Sequence, residues 1–173
     1  RAAQAGRRVM LIEHEGEAGI GGVCLTTGCI PSKALIEVAE LNARISRSSM
    51  GLRVEHSEFD GRQFQKGKAK IVASLTSGVK RLLEKAGVEL IAGRLALTDA
   101  QTAVISLSDG NVQFLTFEGL VLATGSSRIE LDNLPFDGCS VLDSTDVLAL
   151  DVLPSSLAVV GAGYIGVELG VAL

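Results

Sequence analysis

The chain has 173 residues, room for one domain and part of a second. Sixteen Lys and Arg against twenty Asp and Glu leave a net charge of −4, so neither nucleic acid nor a membrane surface is expected as a partner. A 47% hydrophobic and 21% charged composition is core-forming rather than disordered, and three Cys are too few for a disulfide-stapled secreted scaffold.

Residues 1–6 predict the end of a helix, stopped by Gly6. Val9 to Ile12 is a short apolar run closed by Glu13, which suits a buried parallel strand. EGEAGIGGVC follows as a glycine-rich loop. A helix is expected from Pro31, with Leu35, Val38, Ala39 and Ile45 at helical spacing. Residues 51–61 are polar and irregular. A second long helix is expected from about Arg62 to Ala86, with Phe64, Ile71, Val72, Leu75, Val79, Leu82 and Leu83 on its apolar stripe and Gly87 as its cap. Its Lys66, Lys68, Lys70, Lys80, Arg81 and Lys85 read as a solvated face. Beyond Gly87 the period changes to short β runs: VELIAG, RLALT, TAVISL and VQFLTF, the last two joined by the hairpin signal SDGN. GLVLATG is a further apolar run. Residues 126–156 read as a connector with a short helix near Thr145–Leu150.

At the C-terminal end the strand LAVV leads into Gly161-Ala-Gly-Tyr-Ile-Gly166 and then a helical pattern. That is G-x-G-x-x-G between strand and helix, the context a dinucleotide fingerprint requires. The first Gly makes the turn, the second admits a pyrophosphate, and the third lets helix and strand pack closely. A membrane span over 157–173 is the competing reading; its short length, its glycines and Glu168 count against it. The acidic residue that would choose between NAD and NADP lies about 20 residues past the glycines, beyond Leu173. The N-terminus shows the complement: helix end, Gly6, strand, and Glu13 placed as a ribose ligand or as an ordinary acid ending a strand. Its glycine loop would precede residue 1. Both ends are therefore expected to be cut from a longer chain, one that starts here without Met and carries no signal-peptide pattern.

Cys24-Leu-Thr-Thr-Gly-Cys29-Ile-Pro-Ser-Lys33 holds two cysteines five positions apart. Thiols beside a helix start and a lysine suit a labile, redox-active disulfide. Two buried free thiols, or half a zinc site, are the alternatives. His14, His56 and Cys139 are the other ligands on offer, and their spacing fits no usual zinc pattern.

GGVCLTTGCIPSKAL resembles the active-site segment of the FAD-dependent pyridine nucleotide-disulfide oxidoreductases, and its CIPSKAL ending resembles their dihydrolipoamide dehydrogenase branch. LVLATGS, LDSTDVLAL and VVGAGYIGVELG are similar to further segments of that family. The resemblance implies an α/β fold: an FAD/NAD(P)-binding, Rossmann-like three-layer architecture with a small antiparallel β-meander, here truncated. Residues 1–128 would be an FAD-binding domain lacking its first strand and loop, 129–153 a connector, and 154–173 the start of an NAD-binding domain.

By position, the resemblance implies Cys24 as the interchange thiol and Cys29 as the thiol against the flavin. Lys33 would lie near the flavin and pair with Glu168. Glu13 would hold the FAD ribose. Gly21, Gly22, Val23 and Cys24 would line the pyrophosphate and ribitol, Gly93 to Leu95 would meet the adenine, and Thr124, Gly125 and Ser126 would contact FAD again. Gly161, Ala162, Gly163, Tyr164, Ile165 and Gly166 would take NAD. The implied partners are lipoyl domains of 2-oxoacid dehydrogenase or glycine cleavage complexes and a second subunit of a homodimer, in the cytoplasm or an organellar matrix. An NAD(P)H-dependent disulfide or mercuric reductase, or a non-catalytic fragment, are the rival readings. Thr26-Thr27 and Val23 depart from common family residues, and the family's His–Glu acid/base pair has no counterpart here. Weak or no FAD retention is expected of the chain by itself.

Overall fold

The computed structural model describes residues 1–47 and 51–173. In chain order it holds strand β1 (Met10–Glu13), helices α1 (Gly22–Thr26), α2 (Cys29–Ser46) and α3 (Gly61–Lys85), strands β2 (Glu89–Leu97), β3 (Thr102–Leu107) and β4 (Val112–Thr116), and helices α4 (Ser144–Ala149) and α5 (Tyr164–Ala172). Single three-ten turns form at Ala3–Ala5 and Gly16–Gly19. The chain divides into two compact units: Arg1–Thr26 with Ser74–Ser126, and Thr27–Ala73 with Ser127–Leu173.

The first unit is built on a sheet of order β1-β2-β3-β4. β1 runs parallel to the first half of β2, from Met10 opposite Glu89 to Glu13 opposite Ala92. The second half of β2 turns its pairing to β3, antiparallel, and β3 pairs with β4 in the same sense. VELIAG and RLALT are thus one strand rather than two. Gly93 sits at the changeover because β3 passes too close for a side chain: a Cβ there would meet Ser106 O at 2.7 Å and Ile105 Cγ2 at 3.1 Å. Ile105 and Ala103 are the buried centre of the expected meander. In the SDGN turn Gly110 takes φ +87° while Leu107 N–H donates to Asn111 O at 2.9 Å. Asp99 closes the preceding turn by accepting from Thr102 Oγ1 and from the Gln101 and Thr102 amides; the Thr102 hydroxyl is the main reason its carboxyl is held below the ordinary range.

Three expectations are corrected. LAVV does not form a strand. The apolar run GLVLATG is unpaired as well; Val121 and Val160 are 88% and 73% exposed. β character is realised only where a neighbour offers a hydrogen-bond ladder, and the four-stranded sheet offers neither segment one among the described residues. The glycine-rich stretch is not all loop: the three-ten turn at Gly16–Gly19 and helix α1 lie within it. Between them Gly21 and Gly22 adopt φ +99° and +64°, the left-handed region that glycine enters at little cost. α2 starts at Cys29, which places Pro31 in the first turn, where its missing N–H forfeits no helical bond.

In the second unit α2 buries Leu35 against Leu148 of α4 and Leu169 of α5, with Phe64, Val147, Ala172 and Leu173 around them. Residues 22–46 are long and apolar enough to cross a membrane, with a mean hydropathy of 1.2 over their best window, but Leu35 on that stretch is spent on this core. α4 is held at both ends. Asp143 caps it, accepting from the Thr145 and Asp146 amides, while the Asp146 carboxylate accepts from Asp143 N–H; this reciprocal box satisfies otherwise orphaned donors. Arg128 pairs with Asp143 and lies over the Phe136 ring. At the far end Gln65 Nε2 donates to Leu148 O and Leu150 O, and Lys68 Nζ donates to Leu148 O. Partial burial there pushes the Lys68 ammonium below its ordinary pKa. α4 thereby becomes a fixed floor for α2 and α5, the two helices that carry the second unit's candidate site residues.

Candidate active site

In the first unit the site starts at the end of β1. The Glu13 side chain folds back onto the three-ten turn, where Gly19 is buried and a Cβ would meet Glu13 Cδ at 2.5 Å. Glu13 Oε1 accepts from Glu15 N–H at 3.3 Å and lies 3.0 Å from His14 Nδ1. The turn itself is fixed from below and beside. Ile20 is 3% exposed, a Cβ on Gly16 would stand 3.3 Å from Ala92 Cβ on β2, and Glu17 pairs with Lys80 of α3. From this anchored turn the Gly21–Gly22 step leads into α1, which carries Val23 and Cys24, both exposed. Leu95 is half-buried on β2, opposite Ile105. Thr124, Gly125 and Ser126 lie exposed after β4, with Gly125 at φ +74°.

In the second unit Cys29 is the first residue of α2, its thiol exposed. The preceding Gly28 provides no side-chain cap, and Ser32 Oγ donates to Cys29 O at 3.1 Å, which ties down the helix's first turn. One turn on, Lys33 Nζ lies 2.7 Å from Glu168 Oε1 on α5. The resemblance implies that contact from two residues 135 positions apart. With 59% and 37% of the two side chains exposed, the pair adds little stability; it ties the first turn of α2 to α5.

α5 opens from Gly161-Ala-Gly-Tyr-Ile-Gly166. Gly161 takes φ +100°, and a Cβ on Gly161 or Gly163 would meet nothing within 4 Å. A Cβ on Gly166 would meet Val159 Cγ1 at 3.0 Å and Gly161 O at 3.2 Å. The first two glycines thus leave the helix mouth open, and the third lets α5 pack against the segment before it. That is the division of labour a dinucleotide loop needs. Gly163 caps the helix without a side-chain bond, so the first-turn amides face outward where an anion is favoured. Ala162, Tyr164 and Ile165 are exposed at this mouth.

The family model described as pyridine nucleotide-disulphide oxidoreductase matches residues 1–173. The chain belongs to that family. It is 43% identical to a dihydrolipoyl dehydrogenase of Geobacillus stearothermophilus over 99% of this chain and 36% of the relative. Against a dihydrolipoyl dehydrogenase of Pseudomonas aeruginosa the identity is 45%, over 99% of this chain and 37% of the relative. The crystal structure of LpdA from Mycobacterium tuberculosis superposes with a TM-score of 0.76 at 25% identity, covering 88% of this chain and 34% of that one. The chain therefore spans a little over a third of the length of the curated relatives it matches. Sequence reasoning missed the setting of Glu13: Gly19 beneath it, His14 beside it, and the Glu17–Lys80 pair that holds the turn. The run Glu13-His-Glu15 was the available signal, an imidazole between two carboxylates.

Proposed function

We propose that this chain carries the redox core of a flavin disulfide oxidoreductase of the dihydrolipoyl dehydrogenase type. The reaction oxidises protein-bound dihydrolipoamide to lipoamide and passes the electrons through the Cys24–Cys29 disulfide and FAD to NAD⁺. The observation that carries the reading is the Lys33–Glu168 contact: it ties the helix opened by Cys29 to the helix opened by the glycine fingerprint, so one ion pair joins the thiol segment to the nucleotide segment.

The residues fit both nucleotides. Glu13 would accept from the FAD ribose hydroxyls, Gly21, Gly22 and Val23 would border the pyrophosphate, and Leu95, Thr124, Gly125 and Ser126 would make further contacts. Gly161 to Gly166 would receive the NAD pyrophosphate at the open end of α5. Bound FAD and NAD⁺ supply the acceptors for an electron pair, which no side chain can provide.

The chain's own part is thiol exchange. A substrate thiolate attacks Cys24 Sγ, the Cys24–Cys29 bond breaks, and Cys29 leaves as a thiolate at the first turn of α2. The second substrate thiol gives up its proton and attacks the substrate sulfur of the mixed disulfide. The cyclic disulfide departs and Cys24 is released reduced. Two electrons and two protons have then left the substrate. Residues 1–128 would serve as the FAD-binding part, 129–153 as connector and 154–173 as the opening of the NAD-binding part. The protein would act as a homodimer on lipoyl domains of 2-oxoacid dehydrogenase or glycine cleavage complexes, in the cytoplasm or an organellar matrix.

The test is substrate preference of the full-length protein. NADH formation from dihydrolipoamide should exceed NADPH-driven reduction of glutathione disulfide or mercuric ion by at least about a hundredfold in kcat/KM, the discrimination that a single apolar group in a pocket can already give. The reverse preference would place the protein in a reductase branch.

A further inference from the structure

We infer that Thr26 is a positioning residue for Cys24, closing the turn from which that thiol meets its substrate; this rests on the reading of Cys24 as the attacked sulfur given above. α1 is five residues long, Gly22–Thr26, and a helix of little more than one turn does not hold itself together. Its approach is looser still. Gly21 and Gly22 stand at φ +99° and +64°, and glycine has the most backbone freedom to lose. A side-chain bond crosses this turn: Thr26 Oγ1 donates to Gly22 O at 3.0 Å. The ring it closes runs through Val23, Cys24 and Leu25, so Cys24 is its middle residue. Threonine suits the task, because its branched side chain is stiff and its hydroxyl reaches the carbonyl a turn back.

A second tie runs beside it, one position earlier. A Cβ on Gly21 would meet Leu25 Cδ1 at 2.7 Å and Leu25 Cβ at 2.8 Å, so the half-buried Leu25 lies against Gly21. Leu25 thus holds Gly21 and Thr26 holds Gly22, each four residues back, while Val23 and Cys24 stay exposed. The next residue, Thr27, is exposed, and its hydroxyl makes no hydrogen bond among the described residues. The two adjacent threonines therefore differ in role. In thiol exchange the substrate sulfur bonds to Cys24 Sγ, the Cys24–Cys29 bond breaks, and Cys29 takes the electron pair. That displacement needs its reacting atoms aligned, and alignment secured beforehand does not have to be found at the moment of attack.

The experiment mixes oxidised full-length protein with dihydrolipoamide under anaerobic conditions, quenches with an alkylating agent at timed intervals, and follows the labelling of Cys24 and Cys29 by mass spectrometry. Thr26→Val, which keeps the shape and loses the hydroxyl, should open the Cys24–Cys29 bond about fivefold more slowly, the scale of one net hydrogen bond. Thr26→Ser, which keeps the hydroxyl, should stay within about twofold of the unaltered protein. Thr27→Val should match the unaltered protein. An unchanged rate in Thr26→Val would overturn the inference. Equal slowing in Thr26→Val and Thr26→Ser would overturn it too, since the hydroxyl would then not be what matters. So would equal slowing in Thr26→Val and Thr27→Val, because the effect would not belong to the bond with Gly22. The reading beneath the inference fails by a different sign. The monothiol 2-mercaptoethanol leaves its mixed disulfide on the attacked sulfur, and finding that adduct on Cys29 instead of Cys24 would remove the role assigned to Cys24.

Discussion

Full-length protein carrying Cys29→Ser is expected to lose dihydrolipoamide-dependent NADH formation by at least about a thousandfold, the usual scale for removing a covalent participant. Serine cannot close a disulfide, so Cys24 has no bond for a substrate thiolate to break. The fold should be indifferent. Cys29 is exposed at the opening of α2, and serine suits a helix start. Melting of the variant should stay within a few degrees of the unaltered protein, which separates lost chemistry from lost structure. Normal turnover would remove Cys29 from the mechanism.

The largest structural effect is expected at Ile105. Replacing it with alanine should cost about 2–5 kcal/mol, the range for truncating a fully buried aliphatic side chain. Ile105 is 0% exposed, lies in β3 between Leu95 of β2 and Gln113 of β4, and turns Cγ2 toward Gly93. A glycine has no side chain with which to refill the hole, and the ladders on both sides hold the backbone apart, so the cavity should persist. Denaturant unfolding of the full-length protein would read the loss as a lower midpoint. A comparison variant, Phe114→Ala on β4, removes a larger side chain that is 82% exposed, and should shift the midpoint by less than about 0.5 kcal/mol equivalent. Equal shifts in the two would mean that the meander's centre does not lie at Ile105.

How far the fold could be read in advance depended on whether local signals or neighbours decide a segment. Gly6, Gly87 and the SDGN turn are local signals, and each stands where expected, with Gly6 at φ +80°, Gly87 at +71° and Gly110 at +87°. The stretch from Leu35 to Ile45 has helical spacing and is a helix. LAVV and GLVLATG have the same β character as TAVISL, yet only TAVISL has strands on both sides. Pairing is a property of the sheet, and composition cannot supply it. The break assumed between VELIAG and RLALT failed at Gly93, where the glycine serves close strand approach rather than a turn. For the site, family motifs placed Lys33 and Glu168 as partners, and the side chains lie 2.7 Å apart. The grip on Glu13 was hidden because it depends on a turn folding back, which no spacing rule describes.

The measurement closest to the central claim is differential alkylation of the full-length protein under anaerobic conditions, before and after one equivalent of dihydrolipoamide. The account predicts that Cys24 and Cys29 are protected beforehand and both become labelled afterwards, while the exposed Cys139 is labelled equally in both samples. Identical labelling of Cys24 and Cys29 with and without the dithiol would contradict it.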